Sequence, residues 1–162
     1  MNTGISTELV PMSAESYPQY LEMAIAGYAM DNVVAGRWRA GDAHALSQAD
    51  FAESLPQGIS TPDNHLFDIR DRDTGETVGY LWFAVVSQDG ARAAYVYDIE
   101  IKPDYRRLGH ARRAFAELER LVRGMALASI GLHVFAHNPG AQALYRSLGY
   151  GVTGHNMRKP LE

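Results

Sequence analysis

Four arginines crowd one short stretch of this chain. In Ile101-Lys102-Pro103-Asp104-Tyr105-Arg106-Arg107-Leu108-Gly109-His110-Ala111-Arg112-Arg113 they fall where a strand pattern ends and a helix pattern begins. A helix start carries partial positive charge and N–H groups without intrahelical partners, so it attracts anions and disfavours arginine. Only Asp104 offsets Arg106, Arg107, Arg112 and Arg113. A polyanion held on backbone amides relieves the repulsion, as phosphates do at helix N-termini. Gly109 would let the backbone approach such a ligand, and Ala111 would keep the helix close to it. The plain alternative is a solvated arginine cluster partly paired with Glu117 and Glu119. Neither the Walker-type nor the dinucleotide-binding glycine pattern is present.

Other combinations are excluded more simply. The absence of Cys removes disulfides, thiolate metal sites, iron–sulfur clusters and a Cys nucleophile. His133 and His137, four apart on a predicted strand, would lie about 13 Å from each other, too far to share a zinc ion. His65, His110 and His155 are scattered, so no metal is expected. Ser129 lacks the Gly-x-Ser-x-Gly elbow of a serine hydrolase.

The elements that would position these residues follow from periodicity. Glu8-Leu9-Val10 suits an edge strand. From Ser16, Tyr20, Met23, Ala24, Ala26, Ala29, Met30 and Val34 recur at helical spacing. Ser47 and Asp50 form a capping-box pattern for a second helix near 48–55. Strands follow at His65–Arg70, Thr77–Val86, Val85–Gln88 and Arg92–Lys102, around turns at Asp73-Thr74-Gly75 and Asp89-Gly90. A helix at about Ala111–Met125 buries Phe115, Leu118, Leu121 and Val122. A strand at Ser129–Ala136, a helix at Pro139–Leu148 and a last strand near Val152–Lys159 complete the chain. A strand–helix–strand passage requires a crossover and a parallel pair. The expected fold is therefore α/β, with a mixed, mostly antiparallel twisted sheet and flanking helices.

The 162 residues are 46% hydrophobic and 21% charged, ordinary values for one soluble domain. No apolar run approaches the roughly 20 residues of a membrane span, and the N-terminus lacks a signal-peptide pattern. A cytoplasmic protein without membrane partners is expected. The net charge of −4 argues against nucleic-acid binding. It is unevenly divided: residues 1–90 hold 4 Arg, no Lys and 13 acidic residues, whereas residues 91–162 hold 11 basic and 6 acidic ones. An anionic ligand on the second half and a cationic one on the first would suit this division.

Arg106-Arg107-Leu108-Gly109-His110-Ala111 resembles the acetyl-CoA signature of GNAT-type N-acetyltransferases, in which Gln or Arg is followed by a spaced Gly and then Gly or Ala. Asn138-Pro139-Gly140-Ala141-Gln142-Ala143-Leu144-Tyr145-Arg146-Ser147-Leu148-Gly149-Tyr150 resembles the family's downstream motif, with its Asn, Ala, Leu-Tyr and Gly-aromatic positions at matching spacing. The likeness covers about residues 77–160.

The resemblance implies the acyl-CoA N-acyltransferase fold, in which the fourth and fifth strands splay to admit the pantetheine arm of acetyl-CoA. It implies one N-acetyltransferase domain over 1–162, with an acceptor side over 1–76 and an acetyl-CoA-binding core over 77–160. The arm would bond the backbone from Ile99 to Ile101, like an added strand. Arg106, Arg107, Leu108, Gly109, His110, Ala111 and Arg112 would receive the pyrophosphate, while Asn138 and Ala141 match the motif beside the arm. Asn138 also reads as a helix N-cap. Arg107, where many members carry Gly, would narrow or re-aim the loop.

Tyr145 matches the family's general acid for the departing thiolate, and a phenol with a pKa near 10 is protonated at pH 7. It also reads as one aromatic on a face shared with Ala141, Leu144 and Leu148. Asp98 and Glu100 share one strand face, opposite Ile99 and Ile101. Either carboxylate would serve as general base, or both belong to a solvated strand edge. An arm of roughly 15 Å, at about 3.3 Å per residue, favours Asp98. The implied reaction is direct acetyl transfer in a ternary complex from acetyl-CoA to a small-molecule or peptide primary amine, without a metal. A non-catalytic acyl-CoA-binding or sensor module of the same fold is the alternative. An unrelated nucleotide-phosphate binder would leave the Asn138–Tyr150 motif unexplained. A homodimer, common in the family, is compatible with this reading.

Overall fold

The computed structural model describes residues 6–161, so the first five residues of the stretch read for a leader, and Glu162, lie outside it. Five strands form one sheet in sequence order: β1 (Thr7–Pro11), β2 (Asn64–Asp71), β3 (Thr77–Gln88), β4 (Ala91–Ile101) and β5 (Ile130–Leu132). The first four run antiparallel, and β5 pairs parallel to β4 after the crossover through a helix. This is the mixed α/β fold expected from the sequence. β3 is one continuous strand serving both hairpins. Its turn into β4 places Asp89 at φ 51° and Gly90 at φ 79°, the left-handed pair that a two-residue hairpin of this kind requires.

Two apolar layers sandwich the sheet. Tyr80 and Trp82 face α1 (Tyr17–Val34) and α2 (Ala40–Ser54), where Tyr20, Ile25 and Phe51 cover them. Leu81 and Phe83 point the other way, into α3 (His110–Gly124), which buries Phe115, Leu118 and Val122. Each such side chain contributes about 1.5–3 kcal/mol by leaving water. Tyr145, on α4 (Pro139–Ser147), packs edge-on against Phe115 at 5.5 Å.

The structure corrects four expectations. α2 begins at Ala40, well before Ser47. Ser47 is an interior residue whose buried hydroxyl donates to the Ile25 carbonyl at 2.7 Å, tying α2 to α1 rather than capping a helix. On α1, Met30 and Val34 are exposed, and the buried stripe runs through Tyr20, Ala24, Ile25, Ala29 and Asn32. β5 has three residues rather than the eight of Ser129–Ala136, because it pairs only with Ala94, Tyr95 and Val96 before the chain turns toward α1. Val152–Lys159 is not a strand; residues 151–161 are exposed and make no ladder among the described residues.

β3 and β4 pinch together at Gly79. A β-carbon there would lie 2.2 Å from the Glu100 carbonyl oxygen and 3.1 Å from Ile101 Cα. Both are backbone atoms, so a side chain cannot fit without moving β4. Gly79→Ala is expected to cost about 3 kcal/mol or more. The urea midpoint would report this, and a loss below about 1 kcal/mol would show that β4 yields freely.

Candidate active site

β4 carries the candidate chemistry because of where its neighbours stop. β3 pairs with it as far as Ile101, but β5 leaves it after Val96. One edge of β4 is therefore open from Tyr97 to Ile101, with backbone groups available to an extended ligand. The departing chain is drawn toward α1, where His137 Nε2 donates to Asp31 Oδ1 at 3.0 Å. Beside this edge lies a half-open hollow of about 2310 Å³ lined by Asp98, Glu100, Asn138 and Tyr145, with Tyr28 and Trp82 also on its lining.

A bulge in the β3–β4 ladder sets the facing of these residues. Trp82 pairs with Asp98 and Phe83 with Val96, which leaves Tyr97 as the extra residue. Beyond it Asp98 and Glu100 share the face of Trp82 and Tyr80, while Ile99 and Ile101 pack with the α3 layer.

The two carboxylates have different partners. The Tyr20 hydroxyl, on fully buried α1 side-chain ground, donates to Asp98 Oδ2 at 2.8 Å. Burial pushes the Asp98 carboxyl up to about 7, with Glu100 and Asp31 adding to the shift and the Tyr20 and Ile99 hydrogen bonds opposing it. Glu100 is also raised by burial, but Arg106 opposes it through an ion pair at 2.7 Å. The same Arg106 donates from Nε to the Ile101 carbonyl at 2.9 Å. The resemblance implies Arg106 among the phosphate ligands; in this structure its guanidinium lies against the end of β4.

The arginine loop has two residues in the left-handed region, Arg107 at φ 63° and Gly109 at φ 82°. Gly109 is the N-cap of α3, whose first turn holds no acidic residue. A non-glycine at such a φ costs about 1–3 kcal/mol, which the surrounding structure must hold. Arg113 supplies that hold: Nε donates to Thr7 Oγ1 at 2.9 Å and a terminal nitrogen to the Leu108 carbonyl at 2.7 Å. Arg107 and Leu108 are exposed, Ala111 is half-buried, and exposed Arg112 donates to Ser147 Oγ at 2.7 Å, bridging α3 to α4.

His110 differs from its neighbours in the loop. Its ring is buried, with Nδ1 2.9 Å from Thr7 Oγ1 and Nε2 4.0 Å from Asp71. Thr7 Oγ1 also accepts from Arg113 Nε, so one hydroxyl links the imidazole ring to the guanidinium. Burial, then Arg113, holds its pKa below the usual imidazole value. Its side chain thus anchors β1 to α3, leaving only its backbone amide for a ligand.

On α4, Asn138 Oδ1 accepts the Ala141 N–H at 3.1 Å, as the sequence pattern of an N-cap anticipates. Tyr145 is half-buried, and its hydroxyl is pushed up to about 12 by burial, then by the charges of Asp98 and Glu100. Two groups escaped the sequence reading. Tyr20 was placed on an apolar face, although a buried tyrosine requires a partner for its hydroxyl. The Asp31–His137 bridge joins positions 106 residues apart and has no local signal.

The site thus joins an open strand edge, two carboxylates and a tyrosine lining one hollow, and an arginine-rich helix start. Residues 28–150 match the model of the acetyltransferase (GNAT) family, and the chain belongs to that family. It is 36% identical over 153 residues, covering 94% of this chain and 97% of its relative, to the uncharacterized N-acetyltransferase YycN of Bacillus subtilis. The uncharacterized N-acetyltransferase YdgE of the same organism is 29% identical over equal coverage. The crystal structure of YycN superposes with a TM-score of 0.91, covering 97% of this chain and 99% of that one at 35% identity. The protein is an acetyltransferase. Among the described residues no group of three His, Asp or Glu side chains is arranged to hold a metal, and no helix is long and apolar enough to cross a membrane.

Proposed function

We propose that this protein transfers the acetyl group of acetyl-CoA to a primary amine by direct attack, in the cytoplasm and without a metal. The observation that carries the reading is that Asp98 and Tyr145 line one hollow, beside the open edge of β4. When bound, acetyl-CoA supplies an acyl carbon activated as a thioester. Backbone groups of Ile99 and Ile101 would hold its arm along β4, with Asn138 and Ala141 flanking it. The amides from Arg107 to Arg112 would receive its phosphates, and the unengaged guanidinium of Arg107 is the side chain best able to follow them.

Asp98 accepts the proton of the attacking amine. An amine of ordinary pKa is mostly charged at pH 7, and its deprotonation costs about 4–5 kcal/mol. A carboxyl near 7 meets that demand better than one near 4, because it is a stronger base and still ionised at slightly higher pH. Tyr20 holds its oxygen in place. Tyr145 gives its proton to the departing sulfur. Open-edge N–H groups of β4 would polarise the carbonyl.

The acceptor would be cationic. Asp31, Asp50 and Glu53 line the same hollow as Tyr28, Trp82 and Tyr97. Carboxylates with aromatic faces suit an ammonium group. Polyamines, aminoglycoside-like amines and peptide amines share this chemistry.

The direct test is thiol release from acetyl-CoA, followed with a colorimetric thiol reagent across a panel of these amines. The protein contributes no background because it has no Cys. Release stimulated by one amine class is expected. Acetyl-CoA binding without release under any amine would favour the sensor alternative, and absence of binding would overturn both.

A further inference from the structure

The loop before α3 keeps its shape through a contact with the edge strand β1. Two of its residues, Arg107 and Gly109, lie in the left-handed region, an arrangement that persists only where the surroundings fix it. The Arg113 guanidinium is already spent on that task. Nε donates to Thr7 Oγ1 at 2.9 Å and Nη2 to the Leu108 carbonyl at 2.7 Å. Nη1 lies 2.7 Å from where a β-carbon on Gly109 would stand, so the guanidinium sits directly on the loop and a side chain at 109 would displace it.

The bond to Leu108 fixes an N–H as well as a carbonyl. In a planar trans peptide the C=O and N–H point in opposite directions. With the Leu108 carbonyl drawn onto Arg113, the Gly109 N–H faces the other way. Glycine tolerates either orientation of that peptide, so the bond, and not the residue, selects one. Arg113 is in turn aimed by Thr7, which is buried and lies 106 residues away in the chain. The Thr7 hydroxyl also lies 2.9 Å from Nδ1 of buried His110, the residue that follows Gly109. His110 Nε2 has no hydrogen-bond partner among the described residues and stands 4.0 Å from Asp71, which pairs with Thr7 across β1 and β2. One hydroxyl on β1 therefore holds both the residue after Gly109 and the guanidinium seated on it.

We propose that Thr7 and Arg113 are positioning residues for acetyl-CoA. Thr7 aims the guanidinium, Arg113 holds the Leu108–Gly109 peptide, and the Gly109 N–H is thereby kept beside the first-turn amides of α3, which have no intrahelical partner, to receive the phosphates. Arg113 acts through the loop and not as a charge on the ligand. The inference rests on the acetyl-CoA reading given above and adds the residues that shape its phosphate loop.

Calorimetric titration with acetyl-CoA tests this. Thr7→Val removes the hydroxyl and leaves every arginine in place; Kd should rise about tenfold or more. Thr7→Ser restores the hydroxyl and should bring Kd back to within about threefold of the parent. Arg113→Lys keeps the charge but loses the fork that reaches Thr7 and Leu108 together, and should weaken binding about tenfold as well. It tests the same point should Thr7→Val not fold, which far-UV circular dichroism would show. In steady-state kinetics the loss should appear in the KM for acetyl-CoA rather than in kcat. Without any ligand, the nitrogen–proton correlation signal of the Gly109 amide should move in Thr7→Val and Arg113→Lys and stay in place in Thr7→Ser. Parent-like affinity in Thr7→Val overturns the proposal. So does full affinity in Arg113→Lys, which would show that the ligand reads charge alone, and so does an unmoved Gly109 signal. These results leave the acetyl-CoA reading standing, whereas a parent protein that binds no acetyl-CoA overturns both.

Discussion

Asp98→Asn is expected to slow acetyl transfer by about 10²–10⁴-fold and to make the protein more stable. The two effects share one cause. Burial raises the Asp98 carboxyl from its ordinary 3.8 to about 7. Between those values the folded state holds a proton that the unfolded state releases, so stability falls as pH rises through that window. Above about pH 7 the protein carries the whole penalty, about 4 kcal/mol as a ceiling. Asn is neutral and its carbonyl still accepts from Tyr20, so the penalty disappears. The gain at pH 8 should be about 1–3 kcal/mol, with a Tm higher by about 2–4 °C per kcal/mol. It should vanish below about pH 3, where Asp98 is protonated in both states. With the wild-type residue, kcat/KM should rise with pH through about 7, and the variant should lose that limb. Glu100→Gln is the matched control, because its carboxylate is held by Arg106. If Glu100→Gln abolished turnover and Asp98→Asn did not, the base would be Glu100.

What could be seen in the sequence was what neighbours along the chain decide. The Asp89-Gly90 turn, the Phe115–Leu118–Val122 stripe of α3 and the Asn138 cap are each set by a few consecutive residues. The strand, glycine loop and helix start around Arg106–Arg113 are likewise contiguous, which is why the loop could be placed before its contacts were known. Contacts between distant positions were not legible. Tyr20 and Asp98 lie 78 residues apart, and only the packing of α1 over the sheet joins them. α2 begins at Ala40 behind Arg39, an N-cap that makes no side-chain hydrogen bond, so its start has no local marker. Arg106 reads as a phosphate ligand from its position, and its ion pair with Glu100, six residues back on β4, was not part of that reading. Val152–Lys159 has the pattern of a strand but pairs with no strand among the described residues; pattern specifies capacity for pairing, while an edge must supply the pairing itself.

Tyr145→Phe is expected to lower kcat by about 10²-fold or more while leaving acetyl-CoA affinity nearly unchanged, because it removes one oxygen and keeps the ring against Phe115. A hydroxyl pushed up to about 12 is fully protonated at pH 7, as a proton donor must be, yet it is a reluctant one. The causes of the shift resolve this. After burial, the largest is the negative charge of Asp98, followed by that of Glu100. When Asp98 has taken the proton of the amine its charge is gone, and Tyr145 becomes a stronger acid at the moment the sulfur leaves. The base step thus prepares the acid step through the field between the two groups. Two measurements follow. In Asp98→Asn the ultraviolet titration of Tyr145, identified as the difference from the Asp98→Asn/Tyr145→Phe double variant, should shift to lower pH than in the parent. The double variant should also be little slower than Asp98→Asn alone, since groups acting in one proton relay are strongly non-additive. Fully additive losses would show that Asp98 and Tyr145 act independently, and an unchanged kcat in Tyr145→Phe would remove the phenol from the reaction.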